Sequence, residues 1–347
     1  MCNLLVSMRF INRRHLMSLA ARLSGVFLIS VCLAAQIHGA SYDPFEAKFQ
    51  TKPRALELMV HDSARSREIP VRVYFEEQKS PAPVVLFSHG LGGSREGNAF
   101  LGEHWALRGY VAVFVQHPGS DTSVWRDKPK EDRLDAMRGA ISLENFKARV
   151  EDVHAVLDAL TAWNKEKAQP LFGKLELDAI GMSGHSFGAV TTEAVSGEHF
   201  PLTGTRFTDS RIKAAIAFSP SAPRNGDAGQ AFGEVKVPWL LMTGTKDVVP
   251  ALGRNDLQSR LAVYPALHGA PKYQVILNNA EHSAFTDRAL PGDQEPRNPN
   301  HHRVMRALTT AFWDAYLRHD AAAKSWLNGD GPRLILEKAD DWQLATK

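Results

Sequence analysis

Two spacings of apolar residues alternate along most of the chain. Short continuous apolar runs predict strands that are buried on both faces of a sheet. A spacing of three to four residues predicts amphipathic helices between the strands. The predicted strands lie at 84–87, 109–115, 179–182, 212–218, 238–244 and 272–277, and the predicted helices at 98–107, 143–163, 189–195 and 302–317. Strands that alternate with helices imply an α/β fold, in which helices cover both faces of a mostly parallel sheet.

Two segments before these strands have a different pattern. Residues 55–60 and 71–75 alternate apolar with polar or charged side chains. This alternation is typical of strands that have one face in solvent. We therefore expect an antiparallel hairpin at one edge of the sheet.

The N-terminal region has the pattern of an export signal. Residues 1–40 contain four arginines and no acidic residue, followed by an apolar run at 23–35 and the small pair Gly39-Ala40. This order predicts a signal peptide over 1–40 and a secreted or periplasmic protein. The run is short for a membrane span, and a retained membrane anchor is the alternative interpretation.

Composition supports one neutral domain after the leader. The chain has 41 Lys and Arg against 38 Asp and Glu, and four of the arginines lie in the leader. The remaining chain is nearly neutral, so the sequence indicates no nucleic-acid partner. Cys2 and Cys32 also lie in the leader, so residues 41–347 can form no disulfide and use no cysteine nucleophile. Without repeats or linkers, residues 41–347 are predicted to form a single domain with no stable membrane span.

A G-x-S-x-G motif spans Gly184 to Gly188 and has Ser186 at its centre. A predicted strand precedes the motif and a predicted helix follows it, which is the context of a nucleophile elbow. Glycine is required on both sides because a Cβ would clash with neighbouring backbone at this tight turn. Ser183 lies close by but lacks the spacing. The alternative interpretation is a glycine-rich loop that has no catalytic role.

A nucleophilic serine needs a base and an acid that orients the base. In this type of fold the acid follows the serine and the histidine follows the acid. Asp247 comes just after a buried strand and is the candidate acid, although a helix-capping aspartate is the alternative. His282 comes just after the last predicted strand and is the candidate base. His301 and His302 are weaker candidates because they are predicted to begin a helix.

Two backbone N–H groups are expected to form an oxyanion hole. Phe187 directly follows the serine, and Leu91 lies in the loop after the strand at 84–87. The polar segment at 116–141 runs beside this predicted site and contains Trp125. It can be a lid or pocket wall, or a solvated loop with one packed aromatic side chain.

Cofactor and metal motifs are absent from the sequence. It contains no H-E-x-x-H, no dinucleotide-binding glycine loop and no Walker motif. The adjacent pair His301-His302 cannot bind one ion from a single face of a helix. We therefore expect no metal and no cofactor.

Three stretches resemble a known family. These are the loop region at 84–92, the motif at 184–188 and the segment at 282–287, and they occur in the family's order. The chain resembles α/β-hydrolases of the dienelactone-hydrolase-like group, and more narrowly the plasma-type platelet-activating-factor acetylhydrolases and their bacterial relatives. The resemblance implies the α/β-hydrolase fold and a serine esterase. By the same resemblance, Ser186 is the nucleophile, His282 the base, and Leu91 and Phe187 the oxyanion donors.

The sequence departs from both relatives. The acetylhydrolases carry their acid in a Leu-Asp pair after the strand that follows the serine, where this chain reads Phe218-Ser219-Pro220. Because no acid stands at that position, Asp247 is the expected acid of the triad. Dienelactone hydrolases use a cysteine nucleophile, which residues 41–347 lack. The substrate of neither family can therefore be assigned directly to this chain.

These observations predict a secreted serine hydrolase that acts on carboxylic esters through an acyl-enzyme on Ser186. By resemblance, short acyl or acetyl esters are preferred, and the partner is a small-molecule ester or a lipid. A serine peptidase is the first alternative. A catalytically inactive binding module that retains the fold is the second. The sequence does not indicate an oligomeric state.

Overall fold

The centre of the fold is a mixed β-sheet, seen in a computed structural model that describes residues 42–224, 226–253, 257–290 and 292–346. The predicted signal peptide at 1–40 lies outside these residues. The strands are β1 (Arg54–Asp62), β2 (Arg67–Phe75), β3 (Ala82–Ser88), β4 (Val111–Val115), β5 (Leu175–His185), β6 (Ile212–Phe218), β7 (Trp239–Lys246), β8 (Lys272–Glu281) and β9 (Asp341–Ala345).

Helices connect most of these strands. They are α1 (Ala99–Leu107), α2 (Arg133–Gly139), α3 (Leu143–Trp163), α4 (Phe187–Val195), α5 (Ala228–Phe232), α6 (Gln258–Leu261), α7 (Val263–Ala266), α8 (Pro299–Leu317) and α9 (Ala321–Asn328). Short 3-10 turns occur at Thr122–Val124, Pro250–Leu252, His282–Phe285 and Pro332–Leu334. The predicted helices at 98–107, 143–163, 189–195 and 302–317 are all present.

The strand order confirms the predicted α/β architecture. Within the described residues, nine strands follow one another as β1-β2-β4-β3-β5-β6-β7-β8-β9. The six strands from β4 to β8 in this order pair in parallel. Strands β1 and β2 form the expected antiparallel hairpin at one edge. Parallel strands open their carboxyl ends at the same edge of the sheet, so the loops that follow them meet there.

Strand β3 shows how the sheet buries both of its faces. Successive side chains of a strand point to opposite faces. Leu86 is fully buried in an apolar cluster that includes Val153 and Leu157 of α3. Its neighbour Phe87 packs against Phe114 on the other face, where the ring centroids are 4.9 Å apart. Such burial explains why the strand is a continuous apolar run.

The second face is covered by α1 and α8. The rings of Trp105 in α1 and Trp313 in α8 are fully buried and lie 6.2 Å apart in an edge-to-face arrangement. Trp313 packs so closely on β5 that a Cβ on Gly181 would lie 2.7 Å from its ring. The small residue in β5 therefore allows this helix to approach the sheet.

Two elements differ from the sequence expectations. Strand β9 was not expected, because its sequence Asp-Trp-Gln-Leu-Ala is short and only Trp342 is buried. It is defined by antiparallel pairing with β8 at the edge of the sheet. No helix is predicted for the segment at 116–141, yet it contains α2. None of the residues of that helix is buried, so its sequence lacks the apolar spacing of three to four residues by which helices are predicted.

Residues Asp43–Lys347 form one compact unit. Searching the part of the chain that the structure describes identifies no helix with the length and apolar character needed to cross a bilayer.

Candidate active site

Ser186 lies at the sharp turn between β5 and α4. Its backbone has φ 57° and ψ −112°, a conformation that is costly for a residue with a Cβ. The Ser186 N–H donates to the Phe218 carbonyl at 2.9 Å, which fixes the turn against β6. Ser186 is half-buried while His185 before it is buried. The turn therefore presents the serine hydroxyl at the carboxyl edge of the sheet.

The flanking glycines allow this turn to pack on the neighbouring strand. A Cβ on Gly188 would overlap the carbonyl oxygen of Ser88, which ends β3. A Cβ on Gly184 would overlap the carbonyl oxygen of Gly188. Neither backbone group can move without disturbing the sheet or the first turn of α4. The pattern of two glycines around Ser186 thus follows from close backbone packing.

Asp247 and His282 meet through a buried hydrogen bond. Asp247 follows β7 and His282 follows β8, and these two strands are parallel neighbours. His282 Nδ1 lies 2.7 Å from Asp247 Oδ1, and the two residues are 6% and 0% exposed. Because an ionised carboxylate only accepts, the histidine donates its Nδ1–H. The neutral imidazole then has Nε2 free to accept a proton.

Two further side chains hold Asp247. The Thr243 hydroxyl donates to Oδ2 at 2.8 Å. The buried Arg260 guanidinium lies 3.1 Å from Oδ1 and donates to the Asp247 carbonyl at 2.7 Å. Burial by itself raises the pKa of Asp247, but the attraction of Arg260 and His282 outweighs burial and holds that pKa well below its usual value. The acid therefore stays ionised at neutral pH.

His185 connects the serine turn to the segment of His282. Its Nε2 lies 3.1 Å from the His282 carbonyl oxygen, to which it donates, and the two imidazole rings are 4.5 Å apart. Burial lowers the pKa of His185 far below its usual value, so this ring stays neutral. Among the described residues the Ser186 hydroxyl forms no hydrogen bond with His282. In unliganded enzymes such bonds are often long and tighten when substrate binds.

The candidate oxyanion donors flank the serine. The Gly90 carbonyl accepts from the His89 Nδ1–H at 2.7 Å and from the Gly93 N–H at 3.0 Å. Since the peptide is planar and trans, the Leu91 N–H points the opposite way. A Cβ on Gly90 would lie 3.4 Å from the Ser186 Cβ, so this loop lies beside the serine. In the described part of the chain, neither the Leu91 nor the Phe187 N–H has an acceptor.

The segment at 116–141 packs on the loop that carries Leu91, residues 89–93, which we call the oxyanion loop after its candidate role. Trp125 donates its indole N–H to the Gly92 carbonyl at 2.8 Å. A Cβ on Gly92 would lie 2.6 Å from the Met137 sulfur, and Gly92 has φ 69°. Arg133 lies over the Trp125 ring at 5.5 Å. This segment is therefore folded against the loop that carries Leu91, and Trp125 is bound to Gly92 there.

The weaker candidates have structural partners elsewhere. The buried Ser183 hydroxyl donates to the Leu86 carbonyl at 2.7 Å. His301 and His302 lie in the first turn of α8, as expected from the sequence. His301 Nε2 lies 3.2 Å from the Asn278 carbonyl, and the ring of His302 stacks on Phe100 at 3.9 Å. None of these side chains is paired with Ser186.

The sequence did not indicate three residues that support the site: Thr243, Arg260 and Arg149, which binds the His89 carbonyl in the loop before Leu91. Arg149 is a charged residue on the apolar stripe of α3, and this violation of the pattern could have indicated its burial. Arg260 lies in α6, a helix of only four residues, and the sequence around it has no distinguishing pattern. Within the described residues no three His, Cys, Asp or Glu side chains are arranged to hold a metal ion.

Comparison with known proteins supports the family resemblance. Residues 49–155 match the family model described as platelet-activating factor acetylhydrolase, isoform II. The matched segment contains Leu91 and its loop and ends before Ser186. No curated protein gave a significant match to the chain. Together with the sheet order and the helices on both faces, the match identifies the fold. The fold is therefore that of an α/β-hydrolase, and residues 49–155 are similar to the platelet-activating-factor acetylhydrolase family.

Proposed function

We propose that the protein is a serine hydrolase of carboxylic esters. Ser186 is the nucleophile, His282 is the general base, and Asp247 orients the imidazole. The Leu91 and Phe187 N–H groups form the oxyanion hole. The family match supports ester hydrolysis, and the geometry around Asp247 supports these roles.

The reaction proceeds through an acyl-enzyme. The Ser186 Oγ attacks the acyl carbon, its proton passes to His282 Nε2, and the carbonyl oxygen becomes an oxyanion held by the two N–H groups. The oxyanion collapses, the bond to the leaving alcohol breaks, and the alcohol oxygen takes the proton from His282. Water then attacks the acyl group in the same manner. The carboxylic acid leaves and the serine hydroxyl is restored.

The buried bond between Asp247 and His282 is the observation that carries this proposal. It fixes the histidine tautomer that can accept the serine proton at Nε2. The bond lies at the carboxyl end of two parallel strands, where ligands bind in sheets of this type. The His282 carbonyl also accepts from His185, the residue before Ser186, so this pair lies beside the serine turn.

We further propose that the preferred esters have short acyl chains. Trp125 and Met137 pack against Gly92 in the loop that carries Leu91. Bulky side chains at this position limit the space beside the acyl carbonyl. The leaving group can be a small alcohol or a lipid, in keeping with the family.

An activity-based probe tests the proposal. A fluorophosphonate should label the wild-type protein and should not label Ser186→Ala, with Ser183→Ala as the matched control at a structural serine. Absence of labelling in the wild type would indicate a binding module without catalysis. Release of nitrophenol from acetyl and octanoyl esters, measured beside a peptide anilide, separates an esterase from a peptidase.

We also propose that residues 1–40 direct export of the protein. Expression of the full chain in a bacterial host, followed by cell fractionation and N-terminal sequencing of the exported form, tests this. A new N-terminus near residue 41 is expected. A full-length form retained in the membrane fraction would indicate an anchor instead.

A further inference from the structure

Arg149 is a buried cation that no carboxylate contacts. Its residue exposure is 0%, and its hydrogen bonds in the described residues go to neutral oxygens. Burial lowers the pKa of Arg149 to about 9, against the attraction of Asp152 and Asp121. Keeping a guanidinium here is costly unless its donors are all used.

The four hydrogen-bond partners of Arg149 come from three separate parts of the chain. Nη2 donates to the Ser88 hydroxyl at 3.0 Å and to the His89 carbonyl. Nη1 donates to the Ser120 hydroxyl at 2.9 Å, and Nε donates to the Thr191 hydroxyl at 3.0 Å. Ser88 ends β3, and His89 begins the oxyanion loop. Ser120 lies in the segment at 116–141, and Thr191 lies in α4. The guanidinium has N–H donors in fixed directions, so it can bind acceptors from several parts of the chain at once. We call this set of contacts the Arg149 junction.

One side of this junction fixes Phe187. The guanidinium lies 4.6 Å from the centre of the Phe187 ring, at a distance typical of a cation–π contact. The Thr191 hydroxyl, which accepts from Arg149, donates in turn to the Phe187 carbonyl at 2.9 Å. The first turn of α4, whose Phe187 N–H is free, is therefore bound to Arg149 at two points.

The other side fixes the loop of Leu91. Arg149 binds the His89 carbonyl, and the His89 Nε2 accepts from the His117 N–H at 3.1 Å. Ser120, whose hydroxyl Arg149 binds, accepts from the Gly92 N–H at 2.8 Å through its own carbonyl. Residues on both sides of Leu91 are thus connected to the same side chain.

We propose that Arg149 is a positioning residue that holds the Leu91 and Phe187 N–H groups at the separation an oxyanion requires. It does not contact the substrate. It joins the two segments that supply the donors, which lie far apart in sequence. Stabilisation of an oxyanion depends on donors that are already in place when charge develops, so a small displacement costs rate.

This inference rests on the proposed function and predicts a selective loss of turnover. In Arg149→Met, kcat for a short nitrophenyl ester should fall about 10- to 100-fold while KM changes less than about threefold. The reason is that the donors act mainly in the transition state. Inhibition by a trifluoromethyl ketone, which forms an oxyanion on the serine, should weaken in parallel.

Arg149→Lys distinguishes geometry from charge. One ammonium cannot reach four acceptors in three separate parts of the chain, so turnover should stay well below that of the wild type. Full rescue by lysine would overturn the positioning role and would indicate that charge alone matters.

Arg108→Met is the matched control for removing a buried arginine. Arg108 pairs with Asp314 at 2.8 Å, just before β4 begins at the amino edge of the sheet. It should lower the melting temperature without the selective loss of kcat. If Arg149→Met lowers only the melting temperature, or changes kcat and KM no more than this control does, the proposal is wrong.

Fluorophosphonate labelling separates this proposal from the proposed function. If the wild type is not labelled, the hydrolase assignment itself fails. If the wild type is labelled and Arg149→Met reacts at the same rate, only the role of Arg149 fails. Should Arg149→Met not fold, Arg149→Lys, which retains the charge, provides the same comparison of kcat, KM and inhibitor affinity.

Discussion

The guanidinium of Arg260 lies 3.1 Å from the carboxylate of Asp247, and both side chains are almost completely buried. The same arginine donates to the carbonyl groups of Ser219 at 2.7 Å and Pro220 at 3.0 Å. It therefore joins the loop after β6 to the acid after β7. The chain has a serine after Phe218, where the acetylhydrolases carry their acid, and a cation holds Asp247 in place beside it.

Replacing Arg260 should change the pH dependence of catalysis. In Arg260→Met, burial acts on Asp247 without the opposing cation, so the pKa of this carboxyl rises. Because catalysis needs the ionised carboxylate, the acid limb of kcat/KM should move to higher pH by about one unit. Arg260→Lys, which keeps the charge, should move the limb less. Identical acid limbs for wild type and Arg260→Met would contradict this.

Asp247→Asn should abolish most turnover while preserving the fold. An asparagine amide can donate to His282 Nδ1, which forces the proton onto Nε2 and prevents it from accepting the serine proton. A loss of roughly three to four powers of ten in kcat is expected from triads of this kind. Asp209→Asn is the control, because Asp209 pairs with Arg211 just before β6, at the opposite edge of the sheet. Activity near that of the wild type would assign the acid elsewhere.

Gly188→Ala should prevent correct packing of the serine turn. The new Cβ would overlap the Ser88 carbonyl, which is fixed by the sheet. We expect a large drop in melting temperature or loss of soluble protein, since such clashes cost several kcal/mol. Gly139→Ala is the control, because nothing lies within 4 Å of its Cβ position. A Gly188→Ala protein as stable and active as the control would disprove the packing argument.

Trp125→Ala should widen the acyl site. Removing the indole that contacts Gly92 opens space beside the oxyanion loop. The ratio of octanoyl to acetyl ester hydrolysis, measured as kcat/KM, should rise about tenfold, a range typical of a changed apolar pocket. Trp326→Ala in α9 controls for loss of a tryptophan away from the site. An unchanged ratio would show that the segment at 116–141 does not limit acyl length.

His104 should make the fold sensitive to acid. Burial lowers its pKa from 6.5 to about 4, so the folded state keeps it neutral while the unfolded chain takes up a proton below pH 6.5. Its contribution to stability is full above pH 6.5 and is lost as the pH falls towards 4. His104→Gln keeps a donor for Thr310 and should reduce the slope of unfolding free energy against pH by up to about 1.4 kcal/mol per unit near pH 5.

Denaturant titrations between pH 7 and pH 4 measure that slope. His61→Gln, at an exposed histidine on β1, is the control and should keep the slope of the wild type. Equal slopes for His104→Gln and wild type would show that His104 is protonated at the same pH in both states.

The sequence by itself determined the order of the buried parallel strands, the four predicted helices and the turn at Ser186. Local rules are sufficient for these features. An apolar run that ends in Gly184-His185-Ser186 needs burial on both faces and a tight turn, wherever its neighbours lie. The predicted bounds of α3 match the observed Leu143–Trp163 for the same reason, since its apolar stripe repeats along the whole helix.

Only the tertiary structure decided what surrounds these elements. The pairing of β9 with β8, the folding of Trp125 onto Gly92, and the junctions made by Arg149 and Arg260 join segments that are far apart in the chain. No local pattern encodes them, because a buried cation is stabilised by carbonyl and hydroxyl groups whose positions exist only after the sheet has formed. The candidate residues Ser186, Asp247 and His282 could therefore be proposed from the sequence, whereas the groups that hold them in place could not.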